Sequence, residues 1–179
     1  MIVVRMRGLC AAFITLIAAT QVLAAPNCGL LATSGDFEHG SVDWSMTGEI
    51  VPDPVRASNH VAALHGELPA AAAPVVIPSS IDAVEVRFRV LAPRTLKLHG
   101  DPKLVLRIRL YSKQGNSRFN EVEVAPSDQW QTKRVRILPV EGFRDEVLLE
   151  ALNCDGIFYV DDFCVVASAP NQGMQPAGD

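Results

Sequence analysis

Leu104-Val105-Leu106-Arg107-Ile108-Arg109-Leu110-Tyr111 is the stretch on which the fold turns. Leu104, Leu106, Ile108 and Leu110 alternate with Val105, Arg107, Arg109 and Tyr111, the period-2 pattern of a strand with one face toward a core. Val84, Val86, Phe88 and Val90 repeat the pattern against Glu85, Arg87 and Arg89. Outward from these two segments, 42–48, 60–65, 74–77, 118–124, 130–138, 146–152 and 157–166 read as further strands. The breaks carry turn chemistry: Pro52-Asp53-Pro54, His99-Gly100-Asp101-Pro102, Gln114-Gly115-Asn116, Ala125-Pro126-Ser127-Asp128 and Cys154-Asp155-Gly156. The alanine-rich run 68–74 is bracketed by Pro69 and Pro74 and reads as a loop or a single helical turn. No window sustains a 3.6-residue stripe. Short strands at this spacing predict an all-β sandwich or barrel.

A chain of 179 residues with 20 % charged and 49 % hydrophobic side chains has the makings of one folded domain, neither disordered nor multi-domain. Its formal net charge of −4 argues against a nucleic-acid partner, which needs a basic face. Residues 1–24 read as an export signal: Arg5 and Arg7, an apolar stretch from Leu9 to Ala19, then Val22-Leu23-Ala24 with small residues where cleavage requires them. The stretch is short of the ~20 residues of a membrane span. Ala25-Pro26-Asn27 before Cys28 is not a lipid-attachment motif. Removal of the signal leaves 14 basic against 20 acidic residues. The expected product is exported, periplasmic or secreted, without a membrane segment. Its sandwich domain spans 25–167, and a polar tail, 168–179, is expected to be disordered.

Two segments carry a recognisable pattern. Ser34-Gly35-Asp36-Phe37-Glu38-His39-Gly40, followed by Val42-Asp43-Trp44, and Gly156-Ile157-Phe158-Tyr159-Val160-Asp161-Asp162-Phe163 resemble the opening and closing motifs of galactose-binding-like β-sandwiches. The nearest resemblance is to carbohydrate-binding modules of the family-4, -9 and -22 type, with Gln129-Trp130-Gln131-Thr132 similar to a strand before the last hairpin. The resemblance spans residues 28–166 and implies an antiparallel jelly-roll. It also implies a structural calcium held by the Asp36 carbonyl, the Glu38 carboxylate and Asp161, with a further carbonyl near Ser58-Asn59. Calcium suits such a set because it takes several oxygens presented by turns. Asp162 is expected at a surface or turn. In that fold the first and last strands lie side by side, which favours a Cys28–Cys164 disulfide in an oxidising compartment; Cys154 is the alternative partner.

Catalytic patterns are weak. No G-x-S-x-G occurs, and His39, His60, His65 and His99 form no ligand or triad spacing. Tyr111-Ser112-Lys113-Gln114-Gly115 resembles the Tyr-x-Lys-x-Gly of jelly-roll alginate lyases, but Ser117 stands where a second tyrosine belongs. A strand running into a hairpin turn is the simpler reading, and no enzyme is expected. Trp44 and Trp130 are expected in the core, Phe37, Phe88, Phe158 and Phe163 on inward phases. Tyr111, Phe119 and Phe143 remain for stacking on a sugar. Arg87, Arg89, Arg107 and Arg109 take outward phases on two strands expected to be neighbours, and Arg134 and Arg136 are candidates to join them. Such a face suits the carboxylates or sulfates of an acidic glycan; cross-strand ion pairs with Glu85, Glu121, Glu123 and Glu146 would quench it. The expected function is a non-catalytic carbohydrate-binding protein, and the alternative is a structural or interaction module of the cell envelope.

Overall fold

Alternation closes the described chain into two five-stranded antiparallel sheets packed face to face. The computed structural model describes residues 29–66, 69–100, 103–112, 115–139 and 145–168. The expected signal (1–24), most of the tail, Cys28, Lys113 and Phe143 lie outside them. In chain order the strands are β1 (Ser45–Met46), β2 (Glu49–Pro52), β3 (His60–His65), β4 (Ala71–Pro74), β5 (Val84–Leu91) and β6 (Lys97–Leu98). They continue with β7 (Leu104–Tyr111), β8 (Ser117–Val124), β9 (Gln131–Ile137), β10 (Glu146–Leu152), β11 (Cys154–Asp155) and β12 (Ile157–Ala167). The first sheet runs β1-β4-β10-β7-β8 and the second β2-β3-β12-β5-β9, with β11 and β6 as a small ribbon.

Leu104, Leu106, Ile108 and Leu110 of β7 face Val84, Val86, Phe88 and Val90 of β5 across one core, all buried. At one end, Trp44 packs edge-on against Phe163 with centroids 5.3 Å apart, and Phe37 tilts against Trp44 at 5.3 Å. The Trp44 indole donates to the Ser34 carbonyl at 2.8 Å, which satisfies its one polar atom inside the core.

Three expectations are corrected. The run 71–74 is a strand, not a loop: Ala71 and Ala73 pair with Leu149 and Val147 of β10 and are buried, small side chains letting that edge close onto the core. The segment 74–77 is not a strand beyond Pro74; Val75 makes a single bridge with Leu31. The first strand does not flank the last, since β1 belongs to the other sheet. What lies beside β12 is the segment before β1: Leu30 N donates to Val165 O at 3.2 Å, and Phe163 N to Gly35 O at 2.9 Å. Gly35 is required at that approach, because a Cβ there would stand 1.9 Å from the Phe163 carbonyl oxygen.

Candidate functional site

Because β7 alternates, Val105, Arg107, Arg109 and Tyr111 turn away from the core onto the outer face of the first sheet. Register puts Arg109 between Leu148 of β10 and Phe119 of β8, and Arg107 between Glu150 and Glu121. Arg109 donates from Nε and Nη2 to Glu150 Oε2 at 3.2 and 3.1 Å, and from Nη1 to Ser117 Oγ at 2.9 Å. Arg107 donates twice to Glu121 Oε1, at 2.9 and 2.6 Å. Both guanidiniums lie over the Phe119 ring, 4.5 Å from its centroid for Arg107 and 5.3 Å for Arg109. Phe119 is still 47 % exposed. Tyr111 lines a hollow of about 320 Å3 with Pro74, Val75, Asp145 and Glu146. The result is a strip of two aromatic rings and alternating donors and acceptors.

The expected arginine face is divided. Arg107, Arg109, Tyr111 and Phe119 come together, but Arg87 and Arg89 do not join them, because β5 and β7 belong to different sheets and their outer faces point in opposite directions. On the second sheet Arg87 stands beside Glu85, to which it is hydrogen-bonded, and directly opposite Arg134 of β9. Arg89 donates to Asp161 Oδ2, its Nε lies 2.8 Å from Asp162 Oδ2 without being aimed for a hydrogen bond, and its guanidinium sits 4.9 Å from the Trp130 centroid. Trp130 is therefore half-buried on this outer face, not in the core as expected, and its Nε1 donates to the buried Asp53 at 3.2 Å. Trp44 and the four inward phenylalanines are buried as expected.

The two end motifs meet at one turn. Glu38 accepts from His60 N at 3.0 Å and contacts His60 Nδ1 at 3.3 Å, while Asn59 Nδ2 donates to Asp161 Oδ2 at 2.9 Å. Asp36 Oδ1 accepts from Ser34 Oγ at 2.6 Å and Glu38 N at 3.2 Å. Asp161 is 1 % exposed, and burial raises its pKa above 3.8, outweighing the hydrogen bonds from Asn59 and Arg89 that lower it. Its two oxygens already accept from Arg89, Asn59 and the Asp162 N–H. Among the described residues no three His, Cys, Asp or Glu side chains converge as metal ligands. In this arrangement Arg89 neutralises Asp161, and the Glu38 carboxylate is turned to the His60 amide. A bulge between Asp161 and Cys164, with Asp162 at φ +50°, puts Asp162 at the surface as expected.

Cys154 is a free, buried thiol whose pKa is raised by burial and by Asp155, and Cys164 is disulfide-bonded. Ser112 begins a tight turn after β7, accepting from Gly115 N at 2.9 Å and donating to Asn116 O at 3.0 Å, as the hairpin reading of the Tyr111 segment expects. Two functional neighbours were missed in the sequence, Glu150 and Ser117. Both sit on polar phases of strands, but their partner, Arg109, follows only from strand order.

No protein-family model and no curated protein matches the chain. Solved structures match its fold. It is similar to the CBM22-1 xylan-binding domain from Paenibacillus barcinonensis Xyn10C, with 14 % identity and TM-score 0.56 over 78 % of this chain and 96 % of that one. It is likewise similar to a family-61 carbohydrate-binding module in complex with β-1,4-galactotriose, with 18 % identity and TM-score 0.53 over 78 % and 99 %. A third similarity is to the enzymatically active domain of bacteriophage CBA120 tailspike protein 4, with 13 % identity and TM-score 0.51 over 76 % of this chain and 21 % of that chain. The fold is that of the carbohydrate-binding-module β-sandwiches.

Proposed function

We propose that the protein binds a neutral, hydroxyl-rich polysaccharide along the outer face of β10, β7 and β8, without cleaving it. The observation that carries this reading is the Arg109–Glu150–Ser117 cluster beside the exposed Phe119 ring and the Tyr111 hollow. A pyranose stacks its CH face on such rings while arginines donate to its hydroxyls and glutamates accept from them. The matched carboxylates remove the net charge that an acidic sugar would seek on this face. The modules similar in fold are described as binding xylan or β-1,4-galactotriose, which supports a polysaccharide ligand of this kind. Export by residues 1–24 and a Cys28–Cys164 disulfide belong to the same proposal. Calcium is kept in it on the resemblance alone; a melt raised by calcium and lowered by a chelator would establish it against the Arg89-neutralised arrangement.

Affinity electrophoresis in gels containing xylan, β-1,4-galactan or a mixed glucan tests the proposal. Retardation in one gel, reduced about tenfold by Tyr111→Ala or Arg109→Ala, supports it. Absence of retardation in every neutral gel overturns it. The second reading, an envelope scaffold, draws on the ion pairs that quench Arg107 and Arg109, and it predicts that outcome.

A further inference from the structure

We infer that the opposite face of the sandwich holds a second site, between Arg87 and Arg134, which takes the sulfate or carboxylate group of an acidic polysaccharide. The inference rests on the glycan-binding reading only for the polymer that carries the anion. Arg87 and Arg134 are direct cross-strand partners on β5 and β9. Like charges in that relation destabilise a sheet unless something of opposite sign lies between them. The first sheet shows the contrast, for there both arginines of β7 are matched by glutamates.

The carboxylates beside Arg87 and Arg89 are already spoken for. Glu85 holds Arg87, and Asp161 and Asp162 both lie on Arg89. Arg136 stands across from Glu85. The unmatched cation is Arg134, whose exposed side chain has no hydrogen bond or ion pair among the described residues. Arg87, Arg89, Thr132, Arg134 and Asp162 line a hollow of about 190 Å3, room for one oxyanion group. The planar fork of Arg134 suits the bidentate geometry of sulfate and carboxylate, and Thr132, two residues earlier on the same face, offers a hydroxyl donor.

The test compares electrophoretic retardation in gels containing heparin, polygalacturonate or neutral xylan, at low salt. The expected result is retardation in the heparin or polygalacturonate gel, weakened about five- to tenfold by Arg134→Gln and strengthened by Glu85→Gln, which frees Arg87. Glu49→Gln makes the same charge change elsewhere and is expected to have little effect, which separates a site from general electrostatics. Arg134 is exposed, so its variant keeps the wild-type melt. Arg134→Gln leaves any neutral-gel retardation unchanged, whereas Tyr111→Ala reduces that alone. Acidic-gel retardation that ignores Arg134→Gln, or is absent altogether, overturns the inference. Arg134-dependent acidic retardation without any neutral-gel binding supports it while removing the reading of the Tyr111 face.

Discussion

A carboxylate sealed into a sheet either keeps its proton or finds cations and donors enough to lose it, and Asp161 is held between the two. Burial raises its pKa above 3.8 while Arg89 and Asn59 pull the other way. A carboxyl that binds its proton more tightly folded than unfolded penalises the folded state once ionised, and the penalty is relieved as pH falls through the raised pKa. The stability of the wild type relative to Asp161→Asn is therefore expected to increase as pH is lowered from 7 toward about 4, measured as the difference between their melting temperatures. Arg89→Met removes the neutralising cation and strands the buried carboxylate. It is expected to cost about 3 kcal/mol in urea unfolding, the low end for breaking such a pair because Arg89 keeps partial access to water. An unchanged midpoint would mean that Asn59 and the Asp162 N–H suffice alone.

Strands β5 and β7 are the elements whose faces alternation states outright, because each carries large apolar residues on every second position. Strand β4 was hidden for the opposite reason. Its alanines carry no phase, and Pro69 and Pro74 mimic a loop. Ala73→Leu forces a branched side chain into the closed space beside Val147 and is expected to cost about 1–3 kcal/mol, read as a lowered melting temperature. Alternation also says which way a side chain points without saying to which sheet its strand belongs. That is why the pattern alone puts Arg87 and Arg89 on one face with Arg107 and Arg109, when a whole sandwich separates them. The meeting of the end motifs was legible, since Glu38 and Asp161 do reach the Asn59-His60 turn. Arg89 as the partner of Asp161 was not, because it follows from the bulged register of β12 against β5. Gly35→Ala tests that junction: its methyl cannot fit against Phe163, and detachment of the leading segment should appear as fast hydrogen exchange at the Phe163 and Leu30 amides.

Seen whole, the molecule has two outer faces of different electrical character, one with its arginines matched and one with a cation to spare. Added salt should therefore weaken binding at the Arg134 face far more than binding at the Tyr111 face. The proposed Cys28–Cys164 bond would tie the leading segment to β12. Peptide mapping without reductant is expected to recover the two cysteines together, and reduction to lower stability by about 2–5 kcal/mol. The position of β12 has a further consequence, one of timing. It is the last of the described strands to leave the ribosome, yet it sits in the middle of its sheet, joining β2 and β3 to β5 and β9. Until it emerges, that sheet is two separate ribbons, each too small to stand alone in water. A chain ended after Asp155 should accordingly show no cooperative melt. A growing chain of this topology is expected to lack its closed sandwich until β12 has emerged, and a chain held open in that way is one that can be threaded through a narrow translocation channel before it folds on the far side.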